Sequence, residues 1–547
     1  MEFDSIRTFD SAARNAALKA SSAEFVLFLP DTITLQPSAY AALQQAVSNA
    51  EAHTAAFACR LLPYGTPWHV NPVTLQANMV SMQAVLVRRA AVLAAGGFDT
   101  RLGGAAADAD LCWRLGGLGY TLQYVPAAVA HTAPAAAPTL AEYREQVRSA
   151  FLLRAKYKAF HRGHRAYLAA LQTPKHYPGV RKALAKAYLP AVFTALCHKK
   201  APKAAIPFAY LADNWAPQRG CCALVPFTET PLVSIVIRTC NRPDTLRETL
   251  KCLRHQTYKH FEVVVIEDGA ATAEAMIKAE FADLPIRYFA TGTNVGRGRA
   301  GNIGIEKALG EYVCFLDDDD FYYPDYLELH LSKFMENSDI DLVISSTMAS
   351  ETEVQSRSPY IFSVKKHYPV IFDHITLMDM CVKCRIPMPG AMFKRYLYDK
   401  FGGMREDIDG DEDWAMWLRF MQQGQRMSNI FVDIPRAVSM CSYPADPQKA
   451  QQRLAAYEKY DEVMLADKKL CFLITQEDLA LWKKTVAADM AHLQKTEQLQ
   501  DFIAIVAAAQ KADISAIGAE KSITLNAQQI NRYYYYLCDA CIKELIK

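Results

Sequence analysis

Residues 312–325 read YVCFLDDDDFYYPD. An apolar run too short for a helix ends in four consecutive acids. Residues 312–316 are therefore expected to form a buried strand, with 317–320 as the loop at its carboxyl end. Four adjacent carboxylates repel one another, and neither helix nor strand propensity asks for them. A hard divalent cation relieves that repulsion, because magnesium and manganese take carboxylate oxygens and keep positions open for substrate phosphates. The competing explanation is a solvated acidic turn ahead of a helix that opens at Pro324.

Upstream, VSIVIR (233–238), FEVVVIED (261–268) and IRYFA (286–290) are further short, β-branched strands. Between them, Pro243 to His255 reads as a helix opened by proline, and GRGRAGNIGIEKALG (296–310) as a helix opened by glycine. Strands alternating with helices imply a largely parallel, three-layer α/β sheet. Ligands of such sheets gather at the carboxyl ends of the strands. The polar clusters Thr239–Arg242, Glu267–Asp268 and Asp317–Asp320 all fall there.

A second acidic stretch, DIDGDEDWAMWLRF (407–420), leads into an amphipathic helix. Its Gly410 is misplaced for a calcium loop. Acids in a first helical turn also suit the helix dipole. The functional reading makes one carboxylate a general base over a cleft, with Trp414 and Trp417 stacking on a sugar ring or packing in the core. Gly296–Gly301 matches GxGxxG. A dinucleotide fingerprint should follow its strand directly and pair with one acid at a strand end, whereas TGTNV intervenes here and four acids follow.

The chain has 547 residues, 51% hydrophobic and 22% charged, enough for several packed domains and incompatible with wholesale disorder. Its 60 basic and 58 acidic residues nearly cancel, so the whole molecule is no polyelectrolyte binder. Residues 141–220 are the exception, with 15 Lys or Arg against three acids, a balance of +12 on helical runs. That segment reads either as a solvated connector or as a surface for anionic lipid. No nucleic-acid reading motif accompanies it. No signal peptide or membrane-spanning run is visible, so a cytoplasmic protein, peripheral on the inner face of the membrane, is expected. The pairs Cys381–Cys384 and Cys538–Cys541 could supply four zinc ligands, with nothing else in support.

Taken together, residues 231–440 resemble the family 2 glycosyltransferases of the GT-A fold. VSIVIRTCNRP and QTYKHFEVVVIEDGA resemble the family's first two strands. NVGRGRAGNIGIEKALGEYVCFLDDDD is similar to the approach to its DxD metal motif, and PGAMFKR, FGGMRED and GDEDWAMWLR to its acceptor side with an ED pair. The resemblance implies a metal-dependent, inverting transfer from a nucleotide-diphosphate sugar to a glycan, lipid-linked or protein acceptor, as in bacterial surface polysaccharide synthesis. It also implies roles for individual residues. Thr239, Asn241, Arg242, Glu267, Asp268, Arg299, Asp317 and Asp318 would bind the nucleotide sugar. Asp319 with Asp317 would hold manganese or magnesium, Glu412 and Trp414 would meet the acceptor, and Asp413 would be the base.

Three departures stand out. Cys240 replaces an aromatic beside the base. Gly301 replaces a frequent Arg, whose contact Arg297 or Arg299 would take over. Segment 436–446 carries no His to join the metal. Residues 1–138 resemble a partial second copy, with Asp31 and Asp108 at the metal and base positions but no counterparts of the first two strands. The expected domains are therefore 1–138, a partial, non-catalytic α/β unit; 139–226, a basic helical linker; 227–446, the catalytic GT-A domain; and 447–547, a helical region. A homo-oligomer that completes the partial site is one expectation. A non-catalytic sugar- or nucleotide-binding scaffold is the rival function, and a nucleotidyltransferase lacks its basic Gly-rich loop.

Overall fold

The computed structural model describes residues 3–157 except 9, 64–69 and 134–138; 180–196; 227–422 except 228, 371–374, 376–379, 381–383 and 408–411; and the strands 427–430, 437–442, 469–474 and 521–526. Within 227–442, Val233–Thr239 is buried along its length and lies third in a seven-stranded sheet. The order is Ile286–Ala290, Phe261–Glu267, Val233–Thr239, Tyr312–Phe315, Ala391–Lys394, Leu342–Ser345, Met427–Ile430. The first four strands are parallel. Ala391–Lys394 runs antiparallel to both neighbours.

Alternate side chains of these strands serve opposite layers. Ile235, Ile237, Val263 and Val265 pack under Leu246 and Leu250 of the helix Pro243–Leu253. Val264 and Ile266 pack on Ala300 of the helix Arg297–Lys307, and Val236 packs on its Ile305. The expected three-layer α/β arrangement results. Two of the GxGxxG glycines serve close packing: a Cβ on Gly298 would stand 2.0 Å from the Arg405 carbonyl oxygen, and one on Gly301 2.5 Å from Met404 Sδ.

Residues 3–132 build a separate sheet in the order Asp4–Ile6, Phe25–Phe28, Val85–Arg88, Thr54–Leu62, Thr121–Thr132, Ile33–Leu35. Its first four pairings run parallel, antiparallel, antiparallel, parallel. The same senses, in the same chain order, join Val233–Thr239, Tyr312–Phe315, Ala391–Lys394, Leu342–Ser345 and Met427–Ile430. Asp4–Ile6 thus fills the place of a first strand that the sequence had not revealed, in three residues. Among the described residues nothing stands beyond it in the places of Phe261–Glu267 and Ile286–Ala290.

Side chains repeat as well. Asn15 bonds both the N–H and the carbonyl of Phe98, at 2.8 and 2.9 Å, and Asn302 does the same to Met404 at 2.8 and 3.0 Å. Each bonded residue follows a glycine, Gly97 or Gly403, on which a Cβ would collide with the Asn oxygen.

Helices that follow residue 138 pack on the N-terminal core. The helix Leu140–Lys156, opened by a Thr139–Glu142 capping box, buries Phe151, Leu152 and Leu153 in the N-terminal core. Lys156 pairs with Asp99 at 2.8 Å and Asp110 at 2.6 Å, and Tyr157 donates to Asp110 at 2.8 Å. The helix Val180–Leu196 packs on the same core through Leu184 and Ala191. These helices are part of the N-terminal unit, because their apolar stripe is needed to close it.

The two units meet where Arg60, 4% exposed, pairs with Glu328, which also accepts from Thr257 Oγ1 at 2.5 Å. Beside them His255 Nε2 lies 2.9 Å from the Val73 carbonyl oxygen. Of 447–547, Lys469–Ile474 and Lys521–Asn526 pair as an antiparallel ribbon, and the expected helices lie outside the described residues. So do Cys381, Cys538 and Cys541 of the zinc reading, while Cys384 is a half-buried thiol that donates to the Ile386 carbonyl at 3.6 Å. No described helix is long and apolar enough to cross a membrane.

Candidate active site

Asp317–Asp320 leave the strand Tyr312–Phe315 beside the end of Val233–Thr239, and their charges are met from that neighbouring strand. Arg238, 8% exposed, grips Asp317 with two nitrogens at 2.8 and 3.0 Å and turns its third to Glu412 at 2.6 Å. Burial lowers the pKa of its guanidinium, but Asp317 and Glu412 outweigh burial and hold it above its ordinary value. Gly301 lies beside this side chain, where a Cβ would meet Arg238 at an ordinary contact of 3.6 Å. Arg299 pairs with Glu306 at 2.9 Å and Glu406 at 3.3 Å.

Arg242, held by the turn after the first strand, spans the next two acids. It donates to Asp319 at 3.0 Å and also bonds Asp318. Thr239 Oγ1 donates to Asp318 at 2.7 Å. Burial pushes the Asp318 carboxyl up to about 7, against the pull of Arg242, and raises Asp319 in the same direction. Thr249 Oγ1 fixes the loop from below by donating to the carbonyls of Asp318 at 2.7 Å and Asp320 at 3.1 Å. Tyr360 stands close enough to Asp319 that burial and this charge together push its hydroxyl up to about 12. Asn241 sits exposed in the left-handed region at φ 53°.

Several of the expected residues are engaged within the protein itself. Glu267 is fully buried and accepts from the Thr272 and Ala273 N–H groups, each at 3.0 Å, as well as from the Thr272 and Tyr288 hydroxyls. It anchors the entry to the helix Glu274–Glu280. Asp268 is spent on the loop after the third strand, accepting from Val295 N at 2.6 Å, Gly296 N at 3.0 Å and Asn294 Nδ2 at 3.0 Å. Trp414 is fully buried, with its indole N–H on the Met380 carbonyl, so it offers no face to an acceptor. Glu412, 4% exposed, faces Arg238 and not an acceptor. Asp413 is half-buried and accepts from Trp417 Nε1 at 3.1 Å.

Arg238, Thr249 and Tyr360 were missed. For Arg238 the signal was available: a lone charge in the apolar run VSIVIRT.

Two carboxylates keep access to solvent. The side chains of Asp317 and Asp319 are 31% and 24% exposed, against 0% for Asp318. Hard oxygens of this kind fit a divalent cation that draws its remaining ligands from water and phosphate. Among the described residues no group of three or more His, Cys, Asp and Glu could hold a metal alone.

The family model described as glycosyl transferase family 2 matches residues 234–402, which contain the acidic loop and both arginines. The uncharacterized glycosyltransferase YwdF of Bacillus subtilis is 31% identical over 187 residues, covering 34% of this chain and 67% of the relative. An uncharacterized glycosyltransferase of Rickettsia typhi is 28% identical over 240 residues, covering 43% and 70%. Among solved structures, S. aureus TarS 1–349 in complex with UDP-GlcNAc aligns with a TM-score of 0.34 at 17% identity, over 57% of this chain and 88% of that one. With the match centred on the sheet that carries the acidic loop, the chain belongs to the family 2 glycosyltransferases and its catalytic unit has their GT-A fold.

Proposed function

We propose that residues 227–446 transfer a sugar from a nucleotide-diphosphate donor to an acceptor hydroxyl with inversion. The observation that supports this reading is the convergence of Asp317, Asp318, Asp319 and Glu412 on Arg238 and Arg242 at the carboxyl ends of parallel strands. Acids from segments far apart in sequence are drawn into one charged cluster that the fold alone does not require. The donor's nucleotide would enter beside Thr239, Asn241 and Arg242. Its ribose would meet Asp317 or Asp318.

Manganese or magnesium, held by Asp319 with Asp317, would neutralise charge on the leaving diphosphate. Arg242, already at Asp319, stands where a phosphate-facing guanidinium is useful. Asp413 would take the proton of the acceptor hydroxyl as its oxygen attacks the anomeric carbon. The bond from that carbon to the diphosphate breaks on the opposite face, giving inversion in one displacement.

The acceptor class we favour is a glycan, lipid-linked or protein hydroxyl of a surface glycoconjugate, with the basic segment 141–220 towards the inner face of the membrane. Residues 3–132 would be an incomplete second copy of the same domain. The shared order of strand senses and the paired Asn15 and Asn302 bonds support that reading. In it Asp108 is buried against Arg14 at 3.6 Å, and Asp31 lies exposed on the surface. Neither is poised for chemistry.

The test is a thermal-shift series with UDP, GDP, dTDP and CDP and their sugars, with and without manganese. A ligand at 100 times its dissociation constant stabilises by about 2.7 kcal/mol. A manganese-dependent rise for one nucleotide, absent in Asp319→Ala, is expected. A flat response from folded protein would overturn the donor site.

A further inference from the structure

The helix Val180–Leu196 has two apolar sides, and the fold uses one of them. Leu184 and Ala191 are fully buried in the N-terminal core. At about 100° per residue, Lys182, Lys186, Leu189 and Phe193 fall within roughly 60° of one another on the opposite side. Leu189 is 73% exposed and Phe193 71%, the highest values for large hydrophobic side chains among the described residues. Both lysines are exposed too, as is Ala185 between them.

A single exposed leucine needs no explanation. Two large apolar side chains one turn apart, continuing a stripe begun by two lysines, are a different case. The helix carries no acidic residue, and the surrounding 141–220 has 15 basic residues against three acids.

We propose that this face docks on an anionic membrane surface, with Leu189 and Phe193 entering the headgroup boundary and Lys182 and Lys186 meeting lipid phosphates. The arrangement suits an interface that is apolar on one side and negatively charged on the other. Lysine stems lie along apolar surface while their ammonium groups stay in the polar layer. A second copy of the chain fits less well, because a self-complementary contact would bring four lysines together with no acid to answer them. A nucleic acid would satisfy the lysines and leave the leucine and phenylalanine in water. The face is preformed, since its helix is pinned from behind by Leu184 and Ala191. This inference goes beyond sugar transfer and does not depend on it.

The experiment is co-sedimentation of the full-length protein with vesicles of phosphatidylglycerol and phosphatidylcholine in equal parts, against vesicles of phosphatidylcholine alone. Binding to the anionic vesicles is expected, falling with added salt. Leu189→Glu/Phe193→Glu and Lys182→Glu/Lys186→Glu should each weaken it about tenfold or more, at unchanged melting temperature, because the altered side chains face solvent. Phe193→Trp supplies a second measurement, with a blue shift in its difference fluorescence on anionic vesicles and none on neutral ones.

Three results would overturn the proposal: no binding to anionic vesicles, binding that survives both double substitutions, or a wild-type dimer that Leu189→Glu/Phe193→Glu converts to a monomer. The last would make the face a contact between copies. Donor binding, read separately by thermal shift, would be untouched by any of these outcomes.

Discussion

Arg238 and Glu412 stand 174 residues apart in sequence and 2.6 Å apart in space. The pair ties the first strand of the sheet to the helix that carries Asp413, and the same guanidinium holds Asp317 of the acidic loop. One side chain thus ties the acidic loop to the helix that carries Asp413. Both partners are buried, at 8% and 4% exposure, so breaking the pair strands a charge.

Arg238→Met should lower stability by about 3–5 kcal/mol, the usual cost of an uncompensated buried charge. Adding Glu412→Gln should recover part of that loss by removing the stranded carboxylate. Denaturant unfolding of the two variants measures the coupling. Equal stability of Arg238→Met and wild type would mean the pair contributes nothing.

Asp413→Asn keeps an acceptor for the Trp417 indole N–H but removes the carboxylate proposed as the base. Turnover should fall by about two to four orders of magnitude, the range for a positioned general base. The donor-induced thermal shift should stay. Loss of both would assign Asp413 a structural role instead.

Gly298→Ala should destabilise by about 1–3 kcal/mol, since the new methyl meets the backbone of Arg405, which cannot step aside as a side chain would. A variant as stable as wild type would show that the helix Arg297–Lys307 can shift on the sheet.

Asp108 gives the molecule a pH signature. Burial raises its carboxyl to about 6, with Arg14 and the Met82 N–H opposing. A carboxyl raised in the folded state favours folding fully below its unfolded pKa and loses that contribution as pH rises through the folded value. The stability of wild type relative to Asp108→Asn should therefore drop by roughly 2 kcal/mol between pH 4 and pH 7. Denaturant midpoints at the two pH values test this, and a pH-independent difference would refute it.

The strands and the acidic loop were legible because β-branched runs and clustered acids are local signals. Which acids stay available was not. Glu267 and Asp268 look like their neighbours in sequence, yet their oxygens are used up by N–H groups at 272–273 and 295–296. Similarly, Trp414 and Trp417 sit on one amphipathic helix, and only the packed structure shows that both rings are fully buried, Trp414 with its N–H on the Met380 carbonyl. Arg238 could have been suspected from its place in an apolar strand, but its partners lie at 317 and 412, beyond any local pattern. The three-residue first strand Asp4–Ile6 escaped because so short a run carries no periodicity.

Lys156 and Tyr157 carry a practical consequence. Asp110 is fully buried, and both of them bind it from the far end of a helix that begins after the apparent boundary. A fragment trimmed at 138 would uncover the floor beneath Phe151, Leu152 and Leu153 and abandon Asp110 without its ammonium partner. A fragment of the N-terminal unit that keeps these contacts therefore extends at least through residue 157.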